Sequence, residues 1–160
     1  MLRSVRVVSE DFDVGIEWAA LRAALHGRSG AIAAFCGLVR DRADQKTISA
    51  LTLEHYPGMT EPSIDAIIDR AGARWALDAL WVIHRVGELA PADQIVLVLT
   101  ASTHRDAAFA ACEFVMDYLK TDAVFWKKET RDGASHWVES TNADRARASD
   151  WDGAGTGPLS

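Results

Sequence analysis

Three short stretches of the chain carry the residue types that do chemistry on anions. In Thr100-Ala101-Ser102-Thr103-His104-Arg105-Asp106 an imidazole and a guanidinium sit where an apolar run gives way to a helical pattern. The free N–H groups and positive dipole at a helix start attract phosphate or carboxylate. The alternative is that Thr103 and Asp106 cap the helix while His104 and Arg105 face water. A second group, Lys120 with Lys127 and Lys128, brackets the aromatic pair Phe125-Trp126. An amine beside aromatic rings loses hydration, which suits it to proton transfer or covalent chemistry. Equally, Lys120 could complement a helix dipole and the other two could lie on a wet hairpin face. The third stretch is Phe35-Cys36-Gly37-Leu38-Val39-Arg40-Asp41. Gly37 permits close backbone approach and Arg40 can grip an oxyanion with two N–H groups, unless it only pairs with Asp41 at the surface.

The other reactive side chains read as structural. His55 and His84 have no ligand partner nearby, and the five histidines contain no HxH or HExxH spacing, so no metal site and no cofactor are expected. Cys36 and Cys112 lie in apolar runs too far apart for a CxxC pair and read as buried, reduced thiols.

These groups need a scaffold. Arg3 to Val8 reads as a strand, and Val14, Trp18, Leu21 and Leu25 recur at helical spacing from Asp13 to His26. Gly30 to Val39 and Thr47 to Tyr56 read as strands, followed by a turn at Pro57-Gly58. Thr60 is the expected N-cap of a helix whose buried face holds Ile64, Ile67, Ile68, Ala71 and Trp75. Ala79 to Val86 and Gln94 to Ala101 form two more strands joined by the turn GELAPAD. Thr103 is expected to cap a third helix ending at Lys120, with Phe109, Cys112, Met116 and Leu119 on its buried face. AVFWKKE and SHWVE flank a Gly-containing turn and read as a hairpin.

A chain of 160 residues suits one domain, expected over residues 1–150, with residues 151–160 (ending GAGTGPLS) as a mobile tail. Strands joined by turns as well as by helices make the class α+β with a mostly antiparallel sheet and about three helices. Hydrophobic residues at 49% and charged residues at 25% are those of an ordinary globular domain. The net charge of −6 argues against nucleic acid, leaving anion binding to local clusters. No uncharged stretch approaches the roughly 20 residues of a membrane span, and the N-terminus lacks the apolar core of a secretory signal. A cytoplasmic enzyme or binding protein is therefore expected.

The ordered series LEHYPGMTE, VIHRVGEL, TASTHRDAAFAACEFVMDYLKT, FWKKE and WVE strongly resembles the large, catalytic subunit family of molybdopterin synthase, the MoaE family, from about Gly30 to Glu139. The resemblance implies an α/β-hammerhead-type fold, a homodimer, and a small ubiquitin-like sulfur-carrier subunit docked on each copy. It also implies a sulfurtransferase acting on cyclic pyranopterin monophosphate. The carrier's C-terminal Gly-Gly thiocarboxylate would enter a pocket and donate sulfur, two carriers being consumed per dithiolene, to give molybdopterin. Lys120 and Lys127 inherit the role of central catalytic pair. Arg40, His104 and Arg105 inherit the anion-binding role, and Val39, Lys128 and Glu129 match pocket positions. Two positions depart from the family. Leu38 stands where a lysine is frequent, and Ser140-Thr141-Asn142 stands where an arginine can occur, with Arg145 and Arg147 close by. Two rival readings are a stand-alone phosphate-ester lyase or hydrolase, and a non-catalytic partner-binding domain of the same fold.

Overall fold

Alternating apolar residues and helical repeats divide the chain into nine strands and four helices among the residues described in the computed structural model, 1–43 and 46–153. In chain order these are β1 (Leu2–Val8), α1 (Val14–Leu25), β2 (Ala31–Leu38), β3 (Arg42–Ala43), β4 (Lys46–His55), α2 (Thr60–Arg74) and β5 (Ala79–Arg85). Then come β6 (Gly87–Leu89), β7 (Gln94–Ser102), α3 (Arg105–Thr121), β8 (Phe125–Arg131), β9 (Ala134–Val138) and α4 (Asn142–Gly153). The mixed α+β class and the dominance of antiparallel pairing are as the sequence implies; the helix count is four rather than three.

One sheet has the order β1-β5-β7-β2, with β1 parallel to β5 and the other pairs antiparallel. Its central strand β7 is buried from Val96 to Ser102, which fits the unbroken apolar run QIVLVLTAS. One core cluster joins α2 and α3 to this sheet through Ile64, Ile67, Ile68, Leu80, Val98, Phe114 and Val115. A second cluster includes Leu21 and Leu25 of α1 with Ile83, Leu97 and Leu99. The second sheet has the order β3-β4-β8-β9 with β6 also on β4, all antiparallel. Its hairpin turn holds Asp132 at φ 51° and Gly133 at φ 77°, the two left-handed residues of a tight two-residue connection.

Several local expectations change. Thr60 is the first residue of α2, not its cap: its buried hydroxyl accepts from the Tyr56 amide at 3.0 Å and donates toward the Val124 carbonyl at 2.9 Å. His104, not Thr103, occupies the N-cap of α3, and no side chain caps that end. Phe109 is 66% exposed, because the buried face of α3 runs through Ala108, Ala111, Cys112, Val115, Tyr118 and Leu119. GELAPAD contains the short strand β6.

The boundary expected at residue 151 falls inside α4. Trp151 packs edge-on against Trp75 and Phe114, and its indole N–H donates to Asp117 at 2.8 Å. Residues 154–160 of the expected tail lie outside the described residues. Among the described residues no helix is long and apolar enough to cross a membrane.

Candidate functional site

Strand period places Lys127, Glu129 and Arg131 on one face of β8 and Trp126 and Lys128 on the other. Register sets Lys127 opposite Leu53 and Glu129 opposite Leu51. Directly opposed residues share a face, and Leu51 and Leu53 pack with Val39 and Leu89 in the second sheet's own small cluster. Glu129 is therefore a buried acid, 4% exposed. A buried carboxylate needs partners, and it has two. Its Oε2 accepts from Arg131 Nε at 2.9 Å and from a second guanidinium nitrogen, while Oε1 lies 3.5 Å from Lys127 Nζ.

Lys120 sits in the last turn of α3, where a cation complements the helix dipole. Its Nζ is 3.4 Å from Asp144 Oδ1 at the start of α4. The connection from α3 into β8 is pinned: the Asp122 and Ala123 amides donate to the Tyr118 carbonyl, and the Val124 amide donates to Ser63 Oγ at 3.1 Å. The two lysines thus lie on either side of a short, fixed connection.

Val39 leaves β2 with its amide donating to the Asp93 carbonyl and its carbonyl accepting from the Ala92 amide. It is buried on the cluster beneath Lys127 and Glu129, and the next residue, Arg40, is exposed. Gly37 is needed here because a Cβ would come 2.9 Å from a methyl of Val96. The structure brings Val39, Lys127 and Glu129 to one face, with Arg40 following at its margin.

It does not bring the other candidates there. Lys128 projects from the opposite face of β8, its Nζ 4.6 Å over the Trp137 ring and 3.9 Å from Glu54. His104 and Arg105 lie at the far end of α3, about 22 Å from Lys120 at 1.5 Å per residue. The Arg105 side chain is 83% exposed, 3.6 Å from Asp106. With no side-chain cap, the first amides of α3 are left for an anion beside these two residues. Gly30 packs here, where any side chain would collide with the Thr103 carbonyl.

Sequence reasoning missed Arg131 and Asp144, the groups that hold the carboxylates and cations in place. Thr141-Asn142-Ala143-Asp144 has the spacing of a capping box and was the available signal for Asp144. Near the departure at Ser140-Thr141-Asn142, Arg145 donates to the Ser140 carbonyl and to Asn142 Oδ1.

His84 is buried, with Nδ1 2.8 Å from the Arg85 carbonyl and its ring stacked 3.9 Å from that of Phe125. Burial lowers its pKa to about 4, so it is a neutral packing element at physiological pH. Cys36 and Cys112 are free thiols, and burial raises Cys112 to about 11. Among the described residues no three His, Cys, Asp or Glu side chains converge as metal ligands. A depression of about 240 Å³ between β1 and α1 is lined by Glu10, Asp11, Asp13 and Glu17 as well as Arg6. That acidic rim disfavours a phosphate or thiocarboxylate.

A family model described as MoaE protein matches residues 7–122. A molybdopterin synthase catalytic subunit of Ralstonia nicotianae is 52% identical over 148 residues, spanning 92% of this chain and 84% of that protein. A solved molybdopterin biosynthesis MoaE protein of Burkholderia ambifaria superposes with TM-score 0.80 at 48% identity, covering 94% of this chain and 99% of its own. The crystal structure of molybdopterin synthase from Staphylococcus aureus gives TM-score 0.75 at 28% identity, over 83% and 95% of the two chains.

Proposed function

The chain belongs to the MoaE protein family, and from that premise we propose that it is the catalytic subunit of a molybdopterin synthase, a sulfurtransferase of molybdenum cofactor biosynthesis. Its substrate is cyclic pyranopterin monophosphate. Sulfur comes from the C-terminal thiocarboxylate of a small carrier subunit, and each transfer with uptake of water returns the carrier as an ordinary carboxylate. The observation that carries the reading is the arrangement of Lys120 and Lys127 on either side of one pinned connection, each ammonium beside a carboxylate. Lysines held in this way can receive a thiocarboxylate, move protons and stabilise charge as the cyclic phosphate opens. The free thiols Cys36 and Cys112 are in keeping with a reducing, cytoplasmic setting.

The separation of His104 and Arg105 from the lysines gives the homodimer a chemical purpose. One chain cannot offer both ends of α3 to a single small substrate, whereas a second copy can present its His104–Arg105 end beside the first copy's Lys120, Lys127 and Arg40. The anion-binding and sulfur-transfer halves of the site would then come from different protomers.

The test is incubation of the protein with thiocarboxylated carrier and cyclic pyranopterin monophosphate, followed by mass spectrometry of the pterin. The expected product carries two added sulfurs and requires the carrier's Gly-Gly end. Pterin conversion without carrier would instead establish a lyase or hydrolase, and carrier binding without conversion a docking module.

A further inference from the structure

The N-terminus of α4 is built around one carboxylate that also faces Lys120. Asp144 Oδ2 accepts from the Thr141 amide at 3.1 Å and from its hydroxyl at 2.7 Å, and the Asp144 amide donates back to that hydroxyl at 3.1 Å. These bonds close a capping box and fix the carboxylate plane. The remaining oxygen, Oδ1, points at Lys120 Nζ, 3.4 Å away. The Asp144 side chain is 17% exposed, against 50% for Lys120. Burial pushes the Asp144 carboxyl up, but the Thr141 hydrogen bonds and the Lys120 charge outweigh it and hold the pKa below the usual range.

The far end of α4 holds this carboxylate in register. Tyr118 donates to the Ala148 carbonyl at 2.9 Å, and Trp151 donates to Asp117 at 2.8 Å. The α3 residues in these two bonds, Asp117 and Tyr118, lie within one turn of Lys120. A long, half-exposed lysine would otherwise sample many rotamers. The two lysines also differ in their carboxylates. Glu129 is already held by Arg131, a cation, whereas Asp144 is held only by a neutral hydroxyl and amide. Lys120 therefore has the undivided charge of its partner.

We propose that Asp144, clamped by Thr141 at the start of α4, is a positioning residue that aims and occupies the Lys120 ammonium until an incoming anion takes its place. This rests on the reading of Lys120 as a catalytic group. The role has two consequences of opposite sign. Removing the charge frees Lys120 from an internal competitor, so the carrier's anionic tail engages at lower concentration. It also leaves the ammonium unaimed, so turnover slows, as small misplacements of a reacting group do.

The first measurement needs no activity. The intact protein is pulse-acetylated with acetic anhydride, and modification at each lysine is read by mass spectrometry. Asp144→Asn keeps the shape of the box and loses its charge. It should raise labelling of Lys120 severalfold while Lys127 and Lys128 stay unchanged. Asp144→Glu, which keeps charge and box, should restore protection.

The second is steady-state sulfur transfer. Asp144→Asn should lower kcat by roughly 10- to 100-fold and lower the carrier KM, with the folded fraction checked by thermal unfolding. Thr141→Val, which keeps the charge but loosens it, should shift both parameters in the same directions by less. Unchanged Lys120 labelling in Asp144→Asn, or kcat and KM equal to the parent's, overturns the proposal. Altered labelling with normal turnover of Lys120→Ala overturns the catalytic reading of Lys120, and with it the positioning role. A dead Lys120→Ala beside a kinetically normal Asp144→Asn leaves that reading standing and removes only Asp144.

Discussion

The two sheets divide the work unequally. The β1-β5-β7-β2 sheet is covered by α2 and α3 over one cluster and by α1 over another, and Leu80, Val82, Val98 and Ala101 are fully buried between them. At about 1.5 to 3 kcal/mol per buried aliphatic side chain, this is where the stability resides. The second sheet encloses Val39, Leu51, Leu53 and Leu89 and little else, and beside them it places a buried glutamate between two cations. Such a sheet would be a poor independent domain. Joined to the first through Ile95, which touches both clusters, and through the His84–Phe125 stack, it can keep ionic groups where a self-sufficient core would have apolar ones. Reactive charge is tolerated beside a small core because a larger core supplies the folding free energy.

The largest expected effect is kinetic and belongs to the second sheet and the end of α3. Lys127→Ala and Lys120→Ala should each lower product formation by roughly 10²- to 10⁴-fold. Unfolding free energies from denaturant titration should change by no more than about 0.5 kcal/mol, because Glu129 keeps Arg131 and both lysines are partly exposed. Lys→Arg should fail as well, since a guanidinium does not release its proton. Near-normal turnover of either alanine variant would remove that lysine from the mechanism.

Next comes a pair of core truncations. Leu99→Ala, at a site 1% exposed beneath α1, should cost about 2 to 5 kcal/mol in urea unfolding and leave turnover per folded molecule intact. Leu51→Ala should fall near the lower end of that range and also slow turnover, because it loosens the floor under Glu129. Equal stability costs and equal turnover for the two would break the contrast between the sheets.

The joint between the sheets predicts a pH dependence. Unfolded, His84 takes a proton near its ordinary pKa of 6.5; folded, it resists until about 4. The unfolded state binds more protons in that window, so stability is full above pH 6.5. It falls by up to about 1.4 kcal/mol per unit as pH drops toward 4. Urea midpoints for His84→Gln should show a flatter slope there; an unchanged slope would mean that other groups carry it.

The smallest effect is expected on the outer face of the hairpin. Trp137→Ala removes the ring under Lys128 and should cost about 0.5 to 1 kcal/mol, with product formation within twofold of the parent. A large kinetic loss would show that this face also meets substrate or carrier.

Local pattern made much of the scaffold legible. Ile64, Ile67, Ile68 and Ala71 repeat at helical spacing and form the buried face of α2, and QIVLVLTA is the central strand it reads as. The Gly-containing turn between FWKKE and SHWVE does close a hairpin. The ordered motifs pointed to the family and to the cationic residues, because types and spacings along a chain are properties of the chain. Helix α4 was not legible in this way: its apolar residues turned inward are Ala148 and Trp151, and short helices that bury so little persist only when packed. Its capping box was visible but has meaning only beside Lys120.

Tertiary structure alone decided which charges meet. Lys127 and Lys128 are neighbours in sequence yet project from opposite faces of β8, so one shares a buried glutamate and the other rests on a tryptophan. His104 and Lys120 share one helix, and its length keeps them apart within a chain. Glu129 and Asp144 became partners of the lysines through a two-residue strand step and a helix returning from 24 residues downstream. Periodicity fixes which face of its own element a side chain takes. Which other element covers that face depends on long-range packing, where small differences in burial and pairing select one arrangement.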